Sequence, residues 1–263
     1  MFDLAAYLSA LAVLLLAGGG GWLCSAAKHN VTIVDSLWAL FFLLAALTYT
    51  LLTALPGPRT ILIIVLVTMW AARLSGYLTW RNWGRPEDRR YREIRRRNEP
   101  GFTCKSLYLV FALQAVLAWI IAAPLAAGIA GQAPLAWLDY VGMALWTFGL
   151  LFETIGDWQL ARFKAQPETQ DKVMDRGLWR YTRHPNYFGE ACLWWGYWLI
   201  AVSAGGWWTV FAPLLMSVLL RQVSGVALLE HDIGARRPAY RDYIARTNAF
   251  FPGPCRAAAQ EPL

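Results

Sequence analysis

Hydrophobic residues in this chain neither alternate with polar ones nor recur on a single helical face. They run in seven blocks: Leu4–Leu23, Val31–Leu55, Ile61–Trp80, Ser106–Ile129, Trp137–Phe152, Tyr187–Ala204 and Trp207–Val226. A bilayer core of ~30 Å is crossed by a helix of about 20 apolar residues. The pattern predicts an all-α polytopic integral membrane protein with about seven transmembrane helices, organised as one domain over residues 1–263. The fifth and sixth blocks are short, so their helices are expected to continue beyond the lipid. Hydrophobic residues make up 57% of the chain and its mean hydropathy is +0.37, more apolar surface than a soluble domain can hide.

The formal net charge of +7 opens a nucleic-acid reading, but the position of the bases closes it. Arginines gather in Arg81–Arg97, Arg162–Arg183 and Arg236–Arg256, which follow the third, fifth and seventh blocks and fall on one side together with Lys28. The opposite segments, Pro56–Thr60, Ala130–Ala136 and Ser203–Gly206, carry only Arg59 as a base. The positive-inside rule then puts the N-terminus outside and the C-terminus in the cytoplasm, as expected in a bacterial inner membrane. The first block carries Asp3 where a signal peptide would carry bases, so it reads as a retained span. Gly18–Gly21 within it fits close helix approach or a flexible break, not a phosphate loop. Cys24, Cys104, Cys192 and Cys255 have no paired spacing, so neither zinc nor a disulfide framework is indicated.

In so apolar a chain the polar residues beside the blocks carry the information. Gly177–Glu190 brings Arg180, Arg183, His184, Asn186 and Glu190 to the start of the sixth block, and His, Asn and Glu add little as interfacial anchors. A polar ligand site accounts for them better, because an ionisable group in lipid usually faces a cavity or a partner. Glu153 and Asp157 are spaced i, i+4 and share one helix face, with Lys164 two turns beyond Asp157. Such acids could take hydrogen bonds from a ribose or amide while cations meet phosphates. Asp35, at the start of the second block, is either a helix N-cap or a carboxyl kept protonated by its apolar surroundings so that it can donate. Arg73 either snorkels to the interface or meets a buried anion. Arg89–Arg92 and Arg95–Arg97 read as a patch for anionic lipid. The tail from Arg236 reads as an amphipathic helix on the membrane, with Arg221, Glu230, Tyr240 and Tyr243 as pocket candidates. These groups lie at block ends, whereas transporters place theirs near the midplane, which favours an enzyme over a transport or lipid-binding protein.

Three motifs carry a family resemblance: Asn30-x-x-Ile33-Val34-Asp35-x-x-Trp38, Asn82-x-Gly84-Arg85-Pro86-Glu87-Asp88-x-Arg90-Tyr91, and Gly177-Leu178-Trp179-x-Tyr181-x-Arg183-His184-Pro185-Asn186-Tyr187-x-Gly189-Glu190. With the ending Glu230…Arg237-Pro238-x-Tyr240-x-x-Tyr243…Phe250-Phe251-Pro252, the sequence resembles the steroid 5α-reductase superfamily of membrane reductases, in its bacterial branch of domains of unknown function. The resemblance implies NADPH as cofactor and a hydrophobic enone from the bilayer as substrate. It implies a cofactor face at Glu153, Asp157 and Lys164, phosphate contacts at Arg85 and Lys172, and nicotinamide-side contacts at Asn186 and Glu190. Tyr181, Arg183, His184, Glu230 and Tyr240 complete the expected cofactor set. Family members acting on steroids pair an acid on the second span with a tyrosine on the third. Asp35 stands for the first; an ungapped match puts Trp70 at the second, and Tyr77, one turn beyond Arg73, is the substitute. A substrate other than a 3-oxo-Δ4-steroid fits that departure. The Arg-His-Pro-x-Tyr-x-Gly element is also similar to that of isoprenylcysteine and phospholipid methyltransferases, which leaves S-adenosylmethionine as the alternative cofactor.

Overall fold

The computed structural model describes residues 3–53, 57–169, 172–223 and 239–256. Among them every regular element is a helix. Five helices are long and apolar enough to cross a membrane: Leu4–Lys28 (α1), Ile33–Leu52 (α2), Pro58–Asn82 (α3), Phe102–Ile121 and Trp137–Lys164 (α8). Five of the expected seven spans are thus found among the described residues. The sixth block is a helix, Pro185–Ser203 (α9), whose glycines, Asn186 and Glu190 make it less apolar. The seventh is broken into a 3-10 turn, Trp207–Val210, an α-helix, Phe211–Val218 (α10), and a π-turn, Leu219–Val223. The fourth block also divides: Phe102–Ser106 (α5), a π-helical stretch Leu107–Ala112, Leu113–Ile121 (α6), and a separate Ala123–Ile129 (α7). The fifth runs well beyond Phe152, as its length predicted.

The chain folds as two compact units, Met1–Leu138 with Ile200–Ala212, and Asp139–Leu199 with Pro213–Leu263. In the first, α2 packs between α1 and α3. Helix α1 starts at Asp3, whose carboxylate accepts from the Ala5 and Ala6 amides, and stops at His29 in the left-handed conformation. The Asn30 amide then bonds back to the Ser25 carbonyl, closing the helix end. Gly18 and Gly21 serve close approach. A Cβ on Gly21 would lie 2.2 Å from Leu37 Cδ1, and one on Gly18 would lie 3.4 Å from the Phe111 carbonyl oxygen.

A clasp closes one end of this unit, joining the turn before α2 to the segment that follows α3. Asn30 donates to the Arg85 carbonyl, the Val31 amide donates to Glu87, and the Thr32 hydroxyl accepts from the Asp88 amide at 2.7 Å. Asp88 then caps Arg89–Asn98 (α4), and Arg95 returns to Glu87 through two hydrogen bonds of 2.8 and 3.0 Å. Beneath lies an apolar cluster of Val31, Val34, Tyr91, Phe102, Val110 and Phe111. The arginines expected as a lipid patch are therefore divided in role. Arg90 and Arg95 hold the clasp, while Arg96 and Arg97 pair with Glu93 on the exposed side. At the other end of the unit Arg59 is fully buried, and it donates to the carbonyls of Ala133 and Pro134 and to the Ser203 hydroxyl.

The second unit is organised by a glycine seam. Gly142, Gly149 and Gly156 recur every seven residues on α8 and meet Pro185, Gly189 and Gly196 on α9. A Cβ on Gly189 would sit 2.6 Å from both the Glu153 amide nitrogen and the Gly149 carbonyl oxygen, and one on Gly196 would sit 2.7 Å from the Gly142 carbonyl oxygen. Only glycine lets the backbones approach this closely, as in other membrane helix pairs.

The clasp has a pH dependence of definite sign. Burial disfavours the charged forms of Glu87 and Asp88, but the hydrogen bonds and charges of Arg95 and Arg90 outweigh it, and both carboxyls are held below their ordinary values. A carboxylate with a lowered folded value stabilises the fold above its unfolded value and loses that contribution as pH falls through the folded one. Stability should accordingly decline on acidification below the ordinary values of 4.5 for Glu87 and 3.8 for Asp88. Thermal unfolding in mild detergent, from neutral to strongly acidic pH, checks this. Glu87→Gln should be less stable at neutral pH by about 1.5–3 kcal/mol, the worth of a hydrogen bond to a charged group. It should also lose less on acidification; an unaltered pH response would place the acid sensitivity elsewhere.

Candidate functional site

The seam brings the acidic groups of the second unit together. Glu153 and Asp157 share one face of α8, and both are buried, as is Glu190 on α9. The α9 start at Pro185 is set against Gly156, which puts Asn186 beside the acids. Asn186 Nδ2 donates to Asp157 Oδ1 at 3.3 Å, while Asn186 Oδ1 is buried with no hydrogen-bond partner among the described residues. An unsatisfied buried acceptor costs about 1–3 kcal/mol, so this oxygen is suited to a ligand N–H or O–H. Among the described residues no group of His, Cys, Asp and Glu is arranged to hold a metal ion.

The preceding turn, 177–184, is tied to the tail. Trp179 Nε1 donates to the Gly156 carbonyl, and the Trp179 carbonyl accepts from the Tyr243 hydroxyl. Arg183, expected as a cofactor contact, is buried and gives Nη1 to the carbonyls of Ile244 and Thr247. Its amide bonds the Asn248 carbonyl, and the Thr182 hydroxyl bonds the Phe250 carbonyl. The guanidinium closes the C-terminal end of Ala239–Arg246 (α11), where carbonyls collect negative charge. Its geometry is that of a brace for the tail. His184 is buried and stacks on Tyr187 with ring planes 3° apart. Tyr181, Lys164 and Lys172 are exposed, and Tyr240 is half-buried with its ring edge-on to Tyr243. Glu230 lies outside the described residues. Nearby, the Arg221 guanidinium lies 5.6 Å from the rings of both Phe250 and Phe251, at a cavity of about 460 Å³.

The first unit carries its own polar cluster. Helix α2 has Thr32, not Asp35, at its N-cap position. The Asp35 carboxylate reaches outside its helix, accepting from Arg90 Nη2 at 2.8 Å and from the Tyr91 hydroxyl at 2.5 Å, with Arg81 Nη2 at 4.0 Å. Gln114 Nε2 donates to the same Tyr91 hydroxyl at 3.4 Å. The carboxyl expected as a proton donor thus lies among two guanidinium groups and a phenol. Burial works against the Arg90 charge, but Asp35 and Asp88 beside it raise its proton affinity, and burial pushes the Tyr91 hydroxyl well above its ordinary value. Tyr77, half-buried on α3, has guanidinium groups near its ring on both sides, Arg73 at 5.7 Å and Arg81 at 6.0 Å. Arg81 thus reaches both Asp35 and Tyr77. Trp70 is fully buried against Phe42 and packs as core. Arg85 is exposed after the α3 end. Sequence reasoning missed Arg90, Tyr91 and Gln114. Arg90 and Tyr91 stand in the same motif as Asp88, which was the available signal; nothing in the sequence marked Gln114.

Known proteins place this arrangement in a family. An uncharacterised protein of Schizosaccharomyces pombe is 27% identical over 88% of this chain and 75% of its own length. The 3-oxo-5-alpha-steroid 4-dehydrogenase 1 of Bos taurus is 38% identical over 38% of each chain, and that of Rattus norvegicus 37% identical over 30% of each. The likeness to the two steroid enzymes therefore spans less than half of their length. No solved structure matches the chain. The profile of the family described as a protein of unknown function, DUF1295, matches residues 21–247. On that match, which takes in most of its length, the chain belongs to the DUF1295 family, within the steroid 5α-reductase superfamily.

Proposed function

We propose that the protein is an NADPH-dependent membrane reductase that saturates a conjugated C=C bond in a hydrophobic enone. The observation that carries this reading is the Asn186–Asp157 pair, in which the buried Asn186 Oδ1, without a hydrogen bond among the described residues, matches a carboxamide N–H. Partial similarity to two 3-oxo-5-alpha-steroid 4-dehydrogenases supports a reductase class. Glu153, Asp157, Asn186 and Glu190 would hold the ribose and nicotinamide, and the exposed Lys164 and Lys172 would meet phosphates. The bound nucleotide supplies hydride. The chain's own contribution is orientation by these acceptors and exclusion of water by their burial. A second reading, a methyltransferase binding S-adenosylmethionine, rests on the same acids and needs no phosphate contact.

Purification in mild detergent followed by identification of the retained nucleotide separates the two. NADPH is expected to bind more tightly than NADH, and Lys172→Ala should narrow that difference. Asp157→Ala and Asn186→Ala should each weaken binding roughly tenfold to a hundredfold, the effect of losing a hydrogen bond involving a charged group. Retention of S-adenosylmethionine with no affinity for NADPH would overturn the reductase reading.

As hydride arrives at the β-carbon, negative charge grows on the substrate carbonyl oxygen and must be met by a placed donor. We assign this to Tyr77, with the Arg73 and Arg81 charges beside it, and make Asp35 the positioning residue that holds Arg81 and Arg90. Tyr77→Phe should lower kcat on the order of a hundredfold, as removal of one oxyanion donor does, with unfolding unchanged. Asp35→Leu should lower both kcat and the unfolding temperature, and Asp35→Asn should retain more of each. Wild-type turnover in Tyr77→Phe would remove the tyrosine from the mechanism.

The orientation we propose puts the clasp end of the first unit in the cytoplasm of a bacterial inner membrane, with the N-terminus outside. Supporting it, Lys28 and Arg81–Arg97 share that end, and Arg59, the base at the other end, is buried. In a cysteine-free background, Gln132→Cys should react with an impermeant thiol reagent on intact cells, and Arg92→Cys only after permeabilisation. The reverse pattern would invert the topology.

A further inference from the structure

Helix α4 divides its arginines by direction. At 3.6 residues per turn, Arg90, Tyr91, Ile94 and Arg95 fall on one side, and Arg89, Arg92, Glu93, Arg96 and Arg97 on the other. The first side serves assembly. Tyr91 is buried, Ile94 packs against the apolar cluster beneath, and Arg90 and Arg95 reach Asp35 and Glu87. The second side turns away from the fold. Arg89, Arg92, Arg96 and Arg97 are all exposed, the last two with 78% and 72% of their side chains accessible. Glu93, the only acid in α4, bonds Arg96 and Arg97. Four bases therefore share one helix face with a single acid, over a length of about 15 Å at 1.5 Å per residue.

The connections on either side fix the depth of this face. Residues 83–88 join the end of α3 to α4, and residues 99–101 join α4 to Phe102. Both α3 and Phe102–Ile121 are long and apolar enough to be membrane spans. Fully extended, the second link cannot carry α4 more than about 14 Å from the start of the next span. The clasp folds the first link back onto the turn before α2. Tyr91 and Phe102 also belong to one apolar cluster. Helix α4 thus lies across the span ends and does not stand off in solvent. Trp83, 78% exposed just past α3, marks the same level, because tryptophan collects where hydrocarbon meets headgroups.

We infer that the outer face of α4 is a docking surface for anionic phospholipid headgroups, with Arg89, Arg92 and Arg96 as the row that meets their phosphates. These three are spaced i, i+3, i+7 and so form one stripe. Guanidinium forks pair with phosphate oxygens in two parallel hydrogen bonds. Charge selects the lipid, since each base near an anionic bilayer surface strengthens attachment about fivefold. Depth selects lipid over a soluble acidic partner, which would have to descend to the headgroups and displace phosphates already there. No residue of this face takes part in the proposed reaction, so the assignment holds or fails separately from the reductase reading.

The test titrates the full chain, purified in mild detergent, with phosphatidylglycerol or phosphatidylcholine and counts bound lipid by native mass spectrometry. The wild type is expected to bind its first phosphatidylglycerol at least about tenfold more tightly than phosphatidylcholine. Arg92→Gln combined with Arg96→Gln removes two charges whose side chains make no bond to the clasp. The double variant should bind phosphatidylglycerol roughly tenfold to thirtyfold more weakly, with phosphatidylcholine binding and the unfolding temperature close to wild type. Arg256→Gln, an exposed base of the other unit, should leave phosphatidylglycerol binding unchanged. An equal loss from Arg256→Gln would trace the effect to overall charge and overturn the site, as would equal wild-type affinity for the two lipids or wild-type affinity in the double variant. Polyglutamate, offered to the protein in phosphatidylcholine nanodiscs, stands in for a soluble acidic partner. Tighter binding of polyglutamate than of phosphatidylglycerol would give the face to such a partner and overturn the lipid assignment.

Discussion

A charged group that this chain sets beside lipid has to find its partner within the protein, because the hydrocarbon offers none. That constraint shapes both units. Asp35 meets Arg90 and Tyr91, Arg59 meets two carbonyls and a serine, and Arg183 meets the carbonyls at the end of α11. Each joins segments far apart in the sequence, so the arginines that look like membrane anchors serve as joints. The fold is held at its helix ends by such pairings, and between α8 and α9 by close backbone contact at glycine.

Much of the fold was legible as hydrophobic blocks, because a bilayer imposes a minimum length that composition alone can satisfy. The broken elements were not legible. Leu107–Ala112 reads as an ordinary stretch of a span, yet it winds as a π-helix where Phe111 meets the Gly18–Gly21 stretch of α1. The seventh block is continuously apolar in sequence, yet its described part divides into a 3-10 turn, an α-helix and a π-turn. Of the candidate site, the Glu153–Asp157 face followed from helical spacing, and Asn186 joined it as the motif implied. Arg183 looks no different in sequence from a phosphate-binding arginine. Its bonds to the carbonyls of Ile244 and Thr247 depend on where the tail folds back, which no local pattern marks.

Asp35 shows how a site residue can also serve the fold. Its position suggested either a helix cap or a proton donor, and in the structure its carboxyl oxygens accept from Arg90 and Tyr91 and so tie α2 to α4. Two of the motifs that carried the family resemblance, around Asn30–Trp38 and Asn82–Tyr91, are the two halves of this one clasp. Motif content in this chain is therefore in part a record of assembly, and residues within a motif divide into those that hold the helices and those left open to a ligand.

Arg59 carries a consequence for biosynthesis. Its hydrogen-bond partners lie 74, 75 and 144 residues later in the chain, at Ala133, Pro134 and Ser203. While the ribosome is still making the intervening helices, α3 already carries this guanidinium at its first turn, before these three acceptors exist. The three bonds can all be present only after synthesis has passed Ser203. This joint is therefore completed late, and the first unit, although its helices are mostly N-terminal, cannot reach its final packing until more than three quarters of the 263-residue chain has been made.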